Sequence, residues 1–268
     1  KNFKLFWPAD FHVIGKDIIR FHAVYWPAFL MSAGLEPPKS IFCHGFLNID
    51  GSKMSKSLGN VLSPKDLVEK YGLDQLRYFL LREVPFGQDG NFSHSQIVQR
   101  INNDLANDYG NLVQRVLSFI NKNCSSKIPQ YFDVTELDKN FINQFKSLNN
   151  SCNILINDNL EFHNVLSEIW FCISLANQYI DEQAPWKLKK YDLERMNTVL
   201  YLLICGIKYI TIMLQPFMPF SCSLILDQLA VADDNRSFKE LNNFFSLKSG
   251  TQLPKPAAIF PRFSKIET

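Results

Sequence analysis

No two cysteines stand at a CxxC interval, and none is grouped with histidine at the spacings tetrahedral metal sites use. The six (Cys43, Cys124, Cys152, Cys172, Cys205 and Cys222) lie far apart, so no bound metal is expected in this segment. Several fall in apolar helical surroundings, which suits buried free thiols in a reducing cytosol. A surplus of charge is also missing. The 28 Lys and Arg face 26 Asp and Glu, a net charge of +2, so a nucleic-acid partner has to be met by a local patch. Long hydrophobic runs are lacking too. The most apolar stretch, residues 199–214, is interrupted by Lys208 and is shorter than the ~20 residues that cross a bilayer. A buried core helix and no membrane are expected. There is no signal-peptide layout, initiator Met, internal repeat or low-complexity tract, and the chain reads as a segment of something longer.

What is present is ordinary for a globular protein: 268 residues, 46% hydrophobic and 20% charged, enough for one large or two smaller domains. Residues 16–33 predict a helix closed by Gly34 and the Pro37-Pro38 break. "IFCHGFLNI" predicts one buried strand. Ser63 and Pro64 start a helix, and a second short one covers residues 74–83. Ser93 and Gln96 then form a capping-box pattern that opens a long amphipathic stretch with Ile97, Ile101, Leu105, Leu112 and Val116 on one face. Further amphipathic stretches at 136–157, 160–182 and 191–214, with a short helix after Pro219, predict an antiparallel bundle. The proline-rich end, "QLPKPAAIFPRF", is predicted to be extended.

Between the strand and the first capped helix lies "DGSKMSKSLGN", residues 50–60. Two lysines and three serines between flexible glycines suit phosphate, because ammonium groups neutralise charge while hydroxyls and backbone N–H groups donate hydrogen bonds. A solvated surface turn is the plainer alternative. The five residues Lys53 to Ser57 match the KMSKS signature of class I aminoacyl-tRNA synthetases. Together with "IGKDIIRFHAVYWPAFL", "YGLDQLRYFLLREVPFGQDG" and "YIDEQAPW", the chain resembles the methionyl-tRNA synthetase family, bacterial or organellar type, over nearly its whole length and as its C-terminal portion.

That resemblance implies a mainly α chain: the C-terminal part of a class I Rossmann-type α/β catalytic domain followed by an α-helical anticodon-binding bundle. The implied parts are residues 1–62 with the KMSKS loop, linker helices at 63–92, an anticodon-binding domain at 93–245, and a tail at 246–268 packing back toward the catalytic domain. It implies ATP-dependent activation of methionine and transfer to tRNA(Met), with ATP and its Mg2+ as substrate and L-methionine and tRNA as partners. Lys53, Ser55, Lys56 and Ser57 would close on the nucleotide phosphates, where the charge they stabilise grows toward the transition state. Gly51 and Gly59 would let that loop move. Gly15, Asp17, His44 and Leu47 match adenylate-binding positions, and Ile18 and His22 methionine-binding ones. Asn111, Arg115, Pro185 and Trp186 match residues that meet the CAU anticodon, and Lys189 is expected to track the RNA backbone. Read alone, without the resemblance, Trp186 is sooner a buried core anchor and "KLKK" at 187–190 a solvated face. The second class I signature, HIGH, is absent, so the chain is expected to be inactive by itself. A non-catalytic tRNA-binding module is the alternative, as is another class I synthetase, which "DEQAPW" disfavours. A monomer is expected.

Overall fold

The computed structural model describes residues 3–55 and 59–263. The chain divides into two compact units, one of Lys1–Ser63 with Glu83–Ser93 and one of Pro64–Arg82 with His94–Thr268.

In the first unit a short helix α1 (Phe3–Phe6) precedes strand β1 (Phe11–Gly15). β1 pairs in parallel with β2 (Ser40–His44), with Phe11 opposite Ser40 and Gly15 opposite His44. A parallel pair needs a crossover, and residues 16–32 supply it in helical form. The single regular helix expected there is instead three pieces: a 3-10 turn (Lys16–Ile18), a π-helical turn (Phe21–Tyr25) and α2 (Trp26–Ser32). The cause is Pro27, which has no N–H to give and whose ring crowds the carbonyl four residues back. The ladder widens before it, and the Trp26 N–H reaches the carbonyl of Phe21 rather than that of His22.

The strand expected over "IFCHGFLNI" is also two. It breaks at Gly45, and only Ile49 of it is buried. β3 (Leu47–Ile49) joins a separate sheet in the order β4-β3-β5, antiparallel to β4 (Ser52–Lys53) and parallel to β5 (Gly90–Phe92). The Asp89 carboxylate accepts the Phe46 N–H at 2.8 Å and the Gly90 N–H bonds the Phe46 carbonyl at 2.8 Å. The backbone at the break is thereby committed to residues 89–90 and leaves the β2 line.

The second unit is helical. α3 (Pro64–Tyr71) and α4 (Leu73–Glu83, its last residue in the first unit) precede α5 (His94–Arg100). The expected long helix follows as α5, a π-helical stretch (Ile101–Gly110) and α6 (Asn111–Asn123). α7 (Glu136–Asn159), α8 (Phe162–Gln183), the one-turn α9 (Pro185–Leu188), α10 (Leu193–Leu214) and α11 (Pro219–Gln228) complete it. α10 packs on α6, α7 and α8, and every residue from Thr198 to Leu214 is buried. It is long and apolar enough to cross a membrane, yet it is the core of the bundle. Lys208, 4% exposed, is tolerated there because its ammonium donates to Ser246 Oγ at 2.7 Å and Glu240 Oε2 at 3.3 Å. The C-terminal segment is extended. Gln228 exchanges two hydrogen bonds with Ala257, Asn102 exchanges two with Phe263, and Phe260 is buried against Tyr109. All six cysteines are free.

One ionic cluster ties three helices. Asp138, 0% exposed, caps the start of α7 with Thr135 in a reciprocal box. It also accepts Arg195 Nη1 at 2.5 Å and Nη2 at 2.8 Å from α10, and the Tyr179 hydroxyl at 2.5 Å from α8. Burial alone would raise the Asp138 pKa, but the hydrogen bonds from Arg195, Tyr179 and Thr135 outweigh it and hold the carboxyl below its ordinary 3.8. A carboxylate depressed in the folded state stabilises fully above its unfolded value and loses that contribution as pH falls toward the folded one. Asp138→Asn is therefore expected to cost about 3 kcal/mol at pH 7 by stranding Arg195. It should also flatten the acid limb of stability below about pH 4. Denaturant melts of both proteins between pH 2 and 7 check it; parallel acid limbs would count against the cluster.

Candidate functional site

At the carboxyl ends of β1 and β2 the parallel register sets Gly15 beside His44. The Asp17 carboxylate folds back over Gly15, so a β-carbon there would meet Asp17 Oδ1 at 2.7 Å and His44 Cε1 at 3.6 Å. A bare glycine, an exposed carboxylate and an imidazole thus share one corner, at the end of a parallel pair where α/β folds bind nucleotides. Leu47 opens β3 opposite Gly90. Lys16 Nζ grips Asp89 at 2.6 and 2.8 Å. Asp89 is held below the usual carboxylate range by that contact and by the Phe46 N–H.

Asp50 and Gly51 both have positive φ, 46° and 78°, the pattern of a tight two-residue hairpin turn. Gly51 supplies the left-handed conformation that this corner of the loop requires. Lys53 sits on the returning strand opposite Asn48, its Nζ 5.2 Å from the Phe46 ring centroid. The Asn60 side chain ties the loop's two arms, accepting the Ser55 N–H at 2.8 Å and donating to the Lys53 carbonyl at 3.3 Å. Lys56 and Ser57 lie outside the described residues.

An aromatic cavity of about 580 Å³ lies on the crossover, lined by Trp7, His12, Phe21, His22, Tyr25 and Trp26, with Phe29 at its edge. His22 and His12 meet edge to face at 6.3 Å. Ile18 is not in the lining; its carbonyl faces His22 Nδ1 at 3.0 Å.

On the helical unit a second cavity of about 590 Å³ combines the Trp186 ring, Phe119 and Pro185 with the cations Arg115, Lys122, Lys189 and Lys190. Trp186 is 41% exposed, which excludes a core anchor. The Arg115 guanidinium lies 5.8 Å from its ring centroid and reaches Asp181 at 2.5 Å. Lys189 and Lys190 belong to this cavity rather than to a featureless solvated face.

A profile described as "tRNA synthetases class I (M)" matches residues 1–117, and one described as "Anticodon binding domain of methionyl tRNA ligase" matches residues 128–268. The chain belongs to the methionyl-tRNA synthetase family. Methionine--tRNA ligases of Brucella suis and Rickettsia felis are 52% and 49% identical to it over 96% and 98% of its length. The Mycobacterium tuberculosis methionyl-tRNA synthetase in complex with methionyl-adenylate superposes with a TM-score of 0.93 at 47% identity, covering 97% of this chain and 51% of that one. The chain spans about half the length of the curated relatives it matches. The fold is the C-terminal catalytic part and the anticodon domain of that family.

Apart from the lysine–serine loop, the expected site residues fall into three groups. Gly15, Asp17 and His44 converge, with Leu47 three residues beyond His44; His22 lines the aromatic cavity without Ile18; Arg115, Pro185 and Trp186 share the cationic pocket. Asn111, one turn before Arg115, lines instead a neighbouring groove with Gln114 and Arg262. Sequence reasoning missed Trp7, His12 and Trp26 around the cavity, and Phe119, Lys122 and Asp181 around Trp186. Aromatic density in "FHAVYW" was an available signal for Trp26, and the i, i+4 and i, i+7 spacing from Arg115 for Phe119 and Lys122; nothing local pointed to Trp7, His12 or Asp181. Among the described residues no three His, Cys, Asp or Glu side chains gather to hold a metal.

Proposed function

We propose that the chain is the C-terminal portion of a methionine–tRNA ligase, supplying the KMSKS side of the methionyl-adenylate site and the unit that reads the CAU anticodon of tRNA(Met). The observation that carries this is the half-exposed Trp186 ring set among four cations, on a unit matched by the family's anticodon domain. An unstacked base gains about 1–3 kcal/mol on such a ring, and the cations serve the phosphates. In the first unit, Gly15 gives adenylate close approach, Asp17 accepts from ribose hydroxyls, and Leu47 offers backbone contacts to adenine. Lys53 and Lys56, with Ser55 and Ser57, follow the phosphates of ATP, with Mg2+ arriving as part of that substrate. His22 and Ile18 face methionine, His22 from within the aromatic cavity.

Phe11 and Val13 are exposed on one face of β1, and parallel sheets ordinarily have both faces covered by helices, which suits cover from the family's other half. Without the HIGH side the chain alone is expected not to activate methionine, and supplying that half in trans should restore activation. ATP–pyrophosphate exchange by the chain alone would overturn this part.

RNA reading needs no such partner. The chain is expected to bind a CAU stem-loop more tightly than loops of other sequence. Trp186→Ala should weaken CAU binding about tenfold. Lys189→Ala should weaken all hairpins alike and flatten the salt dependence. Titrations of CAU and non-CAU hairpins at two salt concentrations test it; equal affinities in the parent protein would leave only a non-specific basic surface.

A further inference from the structure

Trp186 stands at an awkward place in the chain. α8 ends at Gln183, and Ala184 takes the left-handed conformation at φ 44° and ψ 62° before Pro185 starts α9. A residue with a β-carbon is strained there and persists only where its surroundings fix it. Two side-chain tethers hold the last turn of α8. On the open side Asp181 meets Arg115 at 2.5 Å. On the bundle side Arg195 Nη2 donates to Gln183 Oε1 at 2.6 Å. The same guanidinium is clamped by both oxygens of the fully buried Asp138, so Gln183 is joined to a rigid point on α7 and α10 rather than to a free surface arginine. Neither Arg195 nor Gln183 lines the Trp186 cavity.

We propose that Gln183 and Arg195, anchored by Asp138, are positioning residues for the RNA site: they set the break at Ala184 and thereby the placement of the Trp186 ring over its cavity. The inference rests on reading that cavity as the anticodon-binding site, but its structural half does not. A tether one residue before the left-handed turn fixes where the next helix starts. Because α9 has only one turn, a change in its start moves Trp186 directly.

The test uses the whole chain labelled with 5-fluorotryptophan, the Trp186 fluorine resonance being assigned with Trp186→Phe. Gln183→Ala removes only the tether. Arg195→Lys keeps a charge for Asp138 but loses the fork that also reaches Gln183. Each is expected to shift or broaden the Trp186 resonance while leaving that of Trp170, buried on α8, in place. Gln183→Glu, which still accepts from Arg195, should restore the parent resonance. In titrations the same two variants should lose about fivefold in CAU affinity and nothing against non-CAU hairpins. In a Trp186→Ala background, adding Gln183→Ala should cost nothing more. A Trp186 resonance unmoved in either folded variant overturns the proposal whether or not the parent protein discriminates anticodons. A full additive loss in the Trp186→Ala background overturns it equally, since Gln183 would then act on RNA by another route. A parent protein that fails to distinguish CAU hairpins contradicts the anticodon reading alone, and the fluorine resonances still decide the tether.

Discussion

The burial of α10 is the constraint on which the helical unit depends. From Thr198 to Leu214 it has no solvent face, so it is satisfied only when α6, α7 and α8 surround it. Each large apolar side chain withdrawn from water there contributes about 1.5–3 kcal/mol, far more than any surface contact of the unit. The polar groups it carries must then find partners inside. Thr211 meets the Tyr109 hydroxyl at 2.7 Å, and Lys208 reaches Ser246 and Glu240. With the helices placed, the end of α8 is placed as well, and so is the cavity that gathers Trp186, Arg115 and the lysines.

The first unit is held differently. Its two sheets have two and three strands, and much of its apolar surface, Phe11, Phe21, Phe29 and Met31 among it, is exposed. Directional contacts do the organising. Asp89 joins residues 83–93 to the strand break at Phe46 and to Lys16 after β1; Asn60 closes the loop that begins at Lys53. The candidate site residues therefore sit on hydrogen-bonded corners, not on a packed core.

The helical unit was legible because its signals are local. Apolar spacing located α7, α8 and α10, and Pro219 marked the start of α11. What local patterns could not carry was convergence. Trp7 and His12 join the cavity of His22 only through the parallel pairing of β1 with β2, and Asp138 meets Arg195 across 57 residues. Where the sequence misled, backbone chemistry was the cause. Pro27 denies the helical ladder an N–H, and Asp89 draws Phe46 off the β2 line. Sequence reasoning passed over the Thr135–Asp138 box, since T-x-x-D carries no sign that its carboxylate is buried. Asn111 and Arg115, grouped by the family resemblance, line different depressions.

The central claim is that the Trp186 cavity receives the anticodon. Its most direct test is photocrosslinking of a CAU stem-loop carrying 4-thiouridine at the triplet's uridine, followed by peptide mass spectrometry. The account expects the crosslink within Arg115–Phe119 or Pro185–Lys190, competed by unlabelled CAU hairpin and not by a scrambled loop. Crosslinks spread over surface lysines elsewhere, or competed equally by any hairpin, would contradict it.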